Sequence, residues 1–171
     1  MKIREATTDD IDGIAYVHAQ SWKTTYRGIL SDKFLDQITV EGRRKLWIRN
    51  FASPNKDEVM YVAEDEAGQI IGFANGGACK ESAIYDAELY ALYLLKEYQR
   101  KGIGKLLIRS VVQNLIEKQY SSFMTWVLAG NPAIDFYYRL GGESVARKEI
   151  TIGNERLEEV KIGWKDIRVI L

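Results

Sequence analysis

A short glycine-containing segment holds the residues with the clearest chemical use. Residues 97–107, EYQRKGIGKLL, place Gly102 and Gly104 after an apolar run and at the start of a helical pattern. The first N–H groups of a helix have no partner within the helix and carry partial positive charge, so they attract anions. Because glycine lacks a Cβ atom, a phosphate oxygen can approach its main chain closely. The flanking cations are Arg100, Lys101 and Lys105.

Two known phosphate-binding patterns do not fit this spacing. The P-loop needs a longer glycine spacing that ends in Gly-Lys-Ser or Gly-Lys-Thr, and the dinucleotide fingerprint needs three glycines. A bare Gly-x-Gly also fits a tight turn between a strand and a helix that binds nothing. The segment therefore predicts an anion site, with a plain turn as the alternative.

The surrounding sequence predicts the strand and helices that would position this segment. Residues 86–95 are apolar and typical of a strand, and Leu107, Val111 and Leu115 recur four apart, as on the buried face of a helix. A further strand and a short helix follow at 121–129 and 131–140. The remaining pattern predicts a strand at 2–5, helices within 9–22 and 31–53, and hairpins within 58–78 and 143–164.

The composition sets the class of protein. With 171 residues and 46% hydrophobic content, the chain predicts one mixed α+β domain over residues 1–171. Lysine plus arginine and aspartate plus glutamate number 24 each, so the net charge is zero and neither nucleic acid nor membrane is an expected partner.

Cysteine content and hydropathy add further expectations. Cys79 is the only cysteine, so the chain cannot build a metal site from several thiolate ligands, and no metal is expected. The N-terminus is polar and lacks the apolar core of a signal peptide, and no segment approaches the ~20 apolar residues of a membrane span. We therefore expect a cytoplasmic protein.

Two motifs resemble one family. The pattern Gln99-x-x-Gly102-x-Gly104 is similar to the acetyl-CoA signature of the GNAT superfamily of N-acetyltransferases, and NPAIDFYYRLGGE resembles that family's later Asn and Phe-Tyr segment. SWKTTYRGILSD looks like the acceptor-side loop of many bacterial members. The resemblance implies the GNAT fold: a mixed, mostly antiparallel central sheet of about seven strands, with a splayed parallel central pair and flanking helices.

The resemblance also implies a cofactor and the residues that hold it. Acetyl-CoA would be the co-substrate, with no metal. The pantetheine arm would meet main-chain groups of Leu92, Tyr93 and Leu94, and Asn131 from the other side. The phosphates would lie against Gln99, Arg100, Lys101, Gly102, Ile103, Gly104 and Lys105.

The chemistry of acetyl transfer asks for a base and an acid. An amine with a pKa near ~10 is mostly protonated at pH 7 and must lose a proton before it attacks a thioester. Glu88 stands where the histone-acetylating branch of the superfamily carries its base, although a solvated acid at a strand end is the alternative. Tyr137, the tyrosine of the family's Phe-Tyr pair, is the expected acid for the leaving thiolate, although a core tyrosine is the alternative.

Aromatic residues are the candidates for the acceptor side. Trp22, Tyr26 and Tyr90 could contact an amine with an apolar or cationic body, and Trp126 could do so or fill the core. The resulting expectation is an acetyl-CoA-dependent N-acetyltransferase acting on a primary amine of a small molecule or peptide. The alternative is a non-catalytic acyl-CoA-binding sensor. Exposed edges of the C-terminal hairpin suggest a homodimer.

Overall fold

The chain folds around a mixed sheet of seven strands. The computed structural model describes residues 1–81 and 84–171. Within them, the strands follow the order β1-β2-β3-β4-β5-β7-β6, and all neighbours are antiparallel except β4 and β5, which are parallel. The predicted α+β class and mostly antiparallel sheet are therefore confirmed. The strands are β1 Lys2–Glu5, β2 Val59–Glu64, β3 Ile70–Ala78, β4 Ala87–Leu94, β5 Phe123–Leu128, β6 Glu143–Ile152 and β7 Glu155–Trp164.

Helices flank both faces of the sheet, in the order that the sequence predicts. The Ser31 hydroxyl accepts a hydrogen bond from the N–H of Phe34, which caps the second helix as its position indicates. Short 3-10 turns at Thr8–Asp10, Lys96–Tyr98 and Ile167–Ile170 were not expected from the periodicity. The α-helices are α1 Ile11–Thr25, α2 Asp32–Asp36, α3 Val40–Ala52, α4 Ile103–Glu117 and α5 Ala133–Arg139.

Each face of the sheet has its own core. Leu107, Val111 and Leu115 of α4 are fully buried against one face, as their spacing predicts. On the other face, Ile14 of α1 and Trp47 of α3 pack with residues of β2 and β3. No helix among the described residues has the length and apolar character needed to cross a bilayer.

The parallel pair β4 and β5 separates soon after it begins. The register joins only Ala87 with Phe123 and Glu88 with Met124. Beyond these pairs, the Thr125 hydroxyl donates a 3.1 Å hydrogen bond to the carbonyl oxygen of Leu89.

A bulge in β4 accounts for the separation. Asn75 pairs with Ala91 and Gly76 with Leu89, so Tyr90 is an extra residue in β4. Such a bulge bends its strand and increases the local twist. The splayed central pair that the family resemblance implies is confirmed.

Candidate active site

A cleft of about 740 Å³ opens where β4 and β5 diverge. Its walls come from the end of α1, from β4, from β5 and from α5. The segment that precedes α4 lies at one end, and Tyr90 and Trp126 also line the cleft. The bulge and the splay thus create a slot in the middle of the sheet, open to the segment around Gly102.

The glycine segment presents an uncapped helix start to this cleft. Gly102 precedes α4 with φ of 81°, and Arg100 has φ of 60°, so the chain turns sharply before the helix. Among the residues that the structure describes, no side chain caps α4, and the first turn of this helix contains no acidic residue. The first N–H groups of the helix therefore keep their capacity to donate to an anion.

Gly104 lies in a position where an added Cβ atom would meet no steric clash within the protein. A Cβ atom built at Gly104 would lie 3.6 Å from Phe136, which is an ordinary contact, and the residue sits in the first turn of α4. Neither packing nor a left-handed backbone therefore requires glycine at this position, and a group in the cleft could approach its main chain closely. Phe136 and Lys105 line the same end.

The remaining residues of the predicted phosphate segment divide into two groups. Gln99 lines the cleft, and its side-chain amide donates a 3.1 Å hydrogen bond to the carbonyl oxygen of Leu94, which ties the segment to the end of β4. Lys101 does not line the cleft, and its ammonium group lies 5.4 Å from the ring centroid of Tyr98. The Ile103 side chain is buried in the core, which leaves only its main chain for a ligand.

Strand β4 turns main-chain groups toward the cleft. The N–H of Leu95 donates to the carbonyl oxygen of Ile71 on β3, at 3.0 Å. Because hydrogen-bonding direction alternates along a strand, Leu94 and Leu92 direct their N–H and C=O groups away from β3, toward the gap. Tyr93, between them, is paired with β3 through its main chain.

The Tyr93 side chain is held from α1. Its hydroxyl accepts a 2.9 Å hydrogen bond from the indole nitrogen of Trp22, and its ring stacks on His18 with centroids 4.9 Å apart. Trp22 itself does not line the cleft but packs between the Arg43 guanidinium and the Tyr26 ring. Of the aromatic residues predicted for the acceptor side, Trp22 is therefore a support for β4.

Tyr137 on α5 points its hydroxyl into the cleft from the opposite wall. Its ring packs against Phe136 and Trp164, and only 5% of the residue is exposed. Within residues 1–81 and 84–171 the hydroxyl has no hydrogen-bond partner. Burial raises the pKa of Tyr137 well above its usual value, so the phenol stays protonated at neutral pH.

Asn131 and Tyr26 complete this wall. The Asn131 side-chain oxygen accepts a 2.9 Å hydrogen bond from the N–H of Ala133, which fixes the start of α5. Its amide also interacts with the Tyr26 hydroxyl, which contacts the Tyr93 hydroxyl in turn. Both Asn131 and Tyr26 are buried and line the cleft.

Glu88 lies beside the cleft rather than in its wall. Its neighbours Ala87 and Leu89 belong to the core under α4, so Glu88 faces the opposite side of the sheet. The carboxylate is half-buried and accepts a 3.2 Å hydrogen bond from the N–H of Lys80. Burial raises the pKa of Glu88, and the interactions with Lys80 oppose that rise.

Tyr90 is the predicted acceptor-side residue that lies nearest Glu88 in the chain. Its hydroxyl donates a 2.6 Å hydrogen bond to the carbonyl oxygen of Ala78, and the Lys80 ammonium lies 4.1 Å from its ring centroid. Burial is the main cause that raises the pKa of Tyr90, and the nearby carboxylates of Glu88 and Glu58 raise it further. The Tyr90 ring therefore already binds the Lys80 ammonium on its face, and the Lys80 main chain contacts Glu88.

Comparison with known proteins gives the family. The family model described as "Acetyltransferase (GNAT) family" matches residues 20–142, a span that includes the cleft from the end of α1 to the end of α5. The chain belongs to the acetyltransferase (GNAT) family. The predicted family and the predicted class of enzyme, an N-acetyltransferase, are thereby confirmed.

Similar GNAT proteins come from bacteria and archaea. An uncharacterised N-acetyltransferase of Bacillus subtilis, YuaI, is 37% identical over 169 residues, covering 98% of this chain and 95% of that protein. A spermidine N(1)-acetyltransferase of Thermoplasma acidophilum is 27% identical over 164 residues, which cover 94% of this chain and 97% of that protein. The structure also aligns with the crystal structure of the PaiA N-acetyltransferase from Thermoplasma acidophilum in complex with coenzyme A. The TM-score is 0.69 and the identity 26%, and the alignment covers 92% of this chain and 96% of that one.

Some residues of the GNAT cleft were not foreseen from the sequence. Ser21, Thr24 and Thr25 line it from the last turn of α1, and Arg139 and Asp135 line it from α5. The sequence does hold a signal for Ser21, Thr24 and Thr25, because these polar residues lie three and four positions apart on a helix face that is otherwise apolar. For the α5 pair, the four-residue spacing places both side chains on one face, but nothing in the sequence distinguishes that face from solvent.

Proposed function

We propose that this GNAT enzyme transfers an acetyl group from acetyl-CoA to a primary amine of a small molecule or peptide. The observation that carries the proposal is the uncapped start of α4, with Gly104 opening onto the cleft between β4 and β5. Positive partial charge and free donors at this end suit a pyrophosphate. The structurally similar PaiA protein, which was crystallised with coenzyme A, supports the same cofactor.

The chain's own residues fit such a cofactor along the whole cleft. The N–H groups of Ile103, Gly104 and Lys105 would hold the phosphates, with Arg100 and the Lys105 ammonium supplying positive charge. Main-chain groups of Leu92 and Leu94 would bind the arm, and Asn131 would face it from α5. Acetyl-CoA, when bound, supplies an acetyl group activated as a thioester.

Tyr137 and Glu88 would handle the protons. Tyr137 keeps its proton at neutral pH and presents it to the cleft, where it is available to the departing sulfur. Glu88 is a half-buried carboxylate whose raised pKa brings it closer to working pH, which suits a general base for the acceptor amine. The two groups approach from different walls, since one belongs to α5 and the other to β4.

The acceptor would lie at the end of the cleft that Tyr26, Tyr90 and Trp126 line. Aromatic faces bind ammonium groups through cation–π attraction, and Tyr90 and Trp126 each already hold a lysine ammonium in this way. One relative of this chain is named for spermidine acetylation, so polyamines belong among the acceptors to be tried.

The experiment is a thiol-release assay with acetyl-CoA and a panel of amines, preceded by calorimetric titration with coenzyme A. The panel contains alkylamines, polyamines, amino acid amides and short peptides with free N-termini. Coenzyme A binding with amine-dependent thiol release supports the proposal. Absence of coenzyme A binding would overturn it, because the α4 terminus would then be a turn without a ligand.

A further inference from the structure

Four charged residues surround Trp126 at the acceptor end of the cleft, and the strand register brings them together. Trp126 on β5 is directly paired with Lys161 on β7, and Glu159 on β7 is directly paired with Lys148 on β6. Side chains of directly paired residues lie on the same face of a sheet. Glu81, which precedes β4, reaches the same group.

The contacts show an ammonium held by an aromatic ring and two carboxylates. The Lys148 ammonium lies 4.0 Å from the Trp126 ring centroid, 3.3 Å from one oxygen of Glu81 and 3.7 Å from Glu159. The other Glu81 oxygen accepts a 3.1 Å hydrogen bond from the Trp126 indole nitrogen, which fixes the ring and the carboxylate together. Lys161 also lies near the ring, 4.7 Å from its centroid.

We propose that this group is a subsite for a second ammonium of the acceptor, and that Lys148 occupies it when no acceptor is present. The proposal rests on the proposed acetyl transfer and names the acceptor class as a diamine or polyamine. An aromatic face and paired carboxylates are the groups that recognise an alkylammonium ion.

The balance of charge favours exchange of one ammonium for another. Glu81 and Glu159 face Lys148 and Lys161, so the group is neutral with Lys148 in place. If Lys148 turns to solvent, a ligand ammonium restores the same balance. The Lys148 side chain is 37% exposed, and ion pairs between exposed side chains contribute little net free energy, so a ligand ammonium can displace Lys148 from Glu81 and Glu159.

The position of the subsite suits an amine that is acetylated at its other end. Glu88 is paired with Met124, two residues before Trp126 on the same face of β5. Lys80, whose N–H donates a hydrogen bond to the Glu88 carboxylate, directly precedes Glu81 of the subsite in the chain. One amine could therefore approach Glu88 while a second ammonium of the same molecule contacts Trp126.

The test compares a diamine with the monoamine of equal chain length. We expect kcat/KM for putrescine to exceed that for butylamine by about tenfold or more, since only putrescine can fill the subsite. Glu81→Gln and Glu159→Gln should each reduce this ratio severalfold. Lys148→Met should raise it, because the internal competitor is removed.

A matched control separates the subsite from a general charge effect. Glu158 is adjacent to Glu159 but pairs with Arg147 at 2.6 Å, and alternation along β7 places it on the opposite face. Glu158→Gln should therefore leave the putrescine-to-butylamine ratio unchanged. A wild-type ratio near one would overturn the proposed subsite. The same conclusion would follow if Lys148→Met and Glu81→Gln changed the ratio in the same direction. Neither result would contradict the proposed acetyl transfer.

A binding measurement keeps the two proposals distinguishable. Calorimetric titration of the wild-type protein with putrescine and with butylamine, in the presence of coenzyme A, does not depend on turnover. If no amine is acetylated but putrescine binds tighter and Glu81→Gln removes the difference, the subsite stands and the proposed reaction fails. Equal affinity for the two amines would overturn the subsite.

Discussion

The indole nitrogen of Trp22 on α1 lies 2.9 Å from the hydroxyl oxygen of Tyr93 on β4, to which it donates a hydrogen bond. The contact joins the helix to the part of β4 that lies beyond its pairing with β5. Tyr93 stands between Leu92 and Leu94, whose main-chain groups face the cleft. A side chain that does not line the cleft therefore fixes the strand that does.

Removing that hydrogen bond should loosen β4. Trp22→Phe removes the indole donor from the partly buried Tyr93 hydroxyl, and we expect a loss of about 1–2 kcal/mol in the free energy of unfolding. Urea denaturation measures it. Trp126→Phe removes an exposed indole hydrogen bond to Glu81 and should lose less. Equal losses would show that the Trp22 bond has no special structural role.

Substitution of Tyr137 should separate catalysis from binding. Tyr137→Phe removes the protonated hydroxyl while keeping the ring between Phe136 and Trp164, so we expect kcat to fall by about 100-fold. The dissociation constant for coenzyme A should not change.

Tyr138→Phe is the matched control for this substitution, because Tyr138 is the next residue and is 41% exposed. It should retain wild-type kcat. Loss of coenzyme A binding in Tyr137→Phe would mean that the tyrosine shapes the cleft instead of supplying a proton.

The pH dependence of kcat/KM should reveal Glu88. A base works only as the carboxylate, so activity should fall as the pH drops below the Glu88 pKa, and burial moves that pKa upward from the usual glutamate range. Glu88→Gln should lower the rate and remove this acid limb. A variant profile that keeps both the rate and the acid limb would exclude Glu88 as the base.

The order of elements could be predicted from the sequence, because it depends on local periodicity. The four-residue spacing of Leu107, Val111 and Leu115 is a property of one helix and survives folding unchanged. Gly102 and Gly104 were recognisable for the same reason, since their role depends on neighbours within a few positions.

Contacts that depend on register could not be predicted in this way. The bulge at Tyr90 exists only relative to Asn75 and Gly76 on β3. Likewise, the group around Trp126 requires β5, β6 and β7 to align in one register, which brings Lys148, Glu159 and Lys161 to a ring that also contacts the distant Glu81. Trp22 was expected on the acceptor side because its type suits a pocket, whereas its orientation on α1 directs it to Tyr93.

Buried His18 should make the fold sensitive to acid. Burial, with a smaller contribution from Arg43, lowers the pKa of His18 to about 3, and its ring nitrogen accepts a 3.1 Å hydrogen bond from Trp47. Above the unfolded pKa of about 6.5 neither state binds the proton. As the pH falls from about 6.5 toward 3, only the unfolded state binds it, so stability decreases.

We expect His18 to account for a loss of about 2 kcal/mol between pH 7 and pH 5. Urea denaturation at the two pH values, with His18→Asn as the comparison, isolates this contribution, because asparagine can accept the Trp47 hydrogen bond without titrating. An identical pH dependence in the wild type and the variant would contradict the assignment.

The measurement that tests the central claim most directly is the effect of Gly104→Ala on coenzyme A affinity and on stability together. Alanine is the better helix former and meets no close neighbour here, so the variant should unfold at equal or higher urea, by up to about 1 kcal/mol. Its Cβ atom should nevertheless obstruct a phosphate at the α4 terminus.

Calorimetric titration with coenzyme A should therefore show affinity weakened by about tenfold or more, which corresponds to about 1.4 kcal/mol. Ser110→Ala, on the same helix but outside the cleft lining, should bind as the wild type does. A stable Gly104→Ala variant with unchanged coenzyme A affinity would contradict the phosphate site on which the proposed function depends.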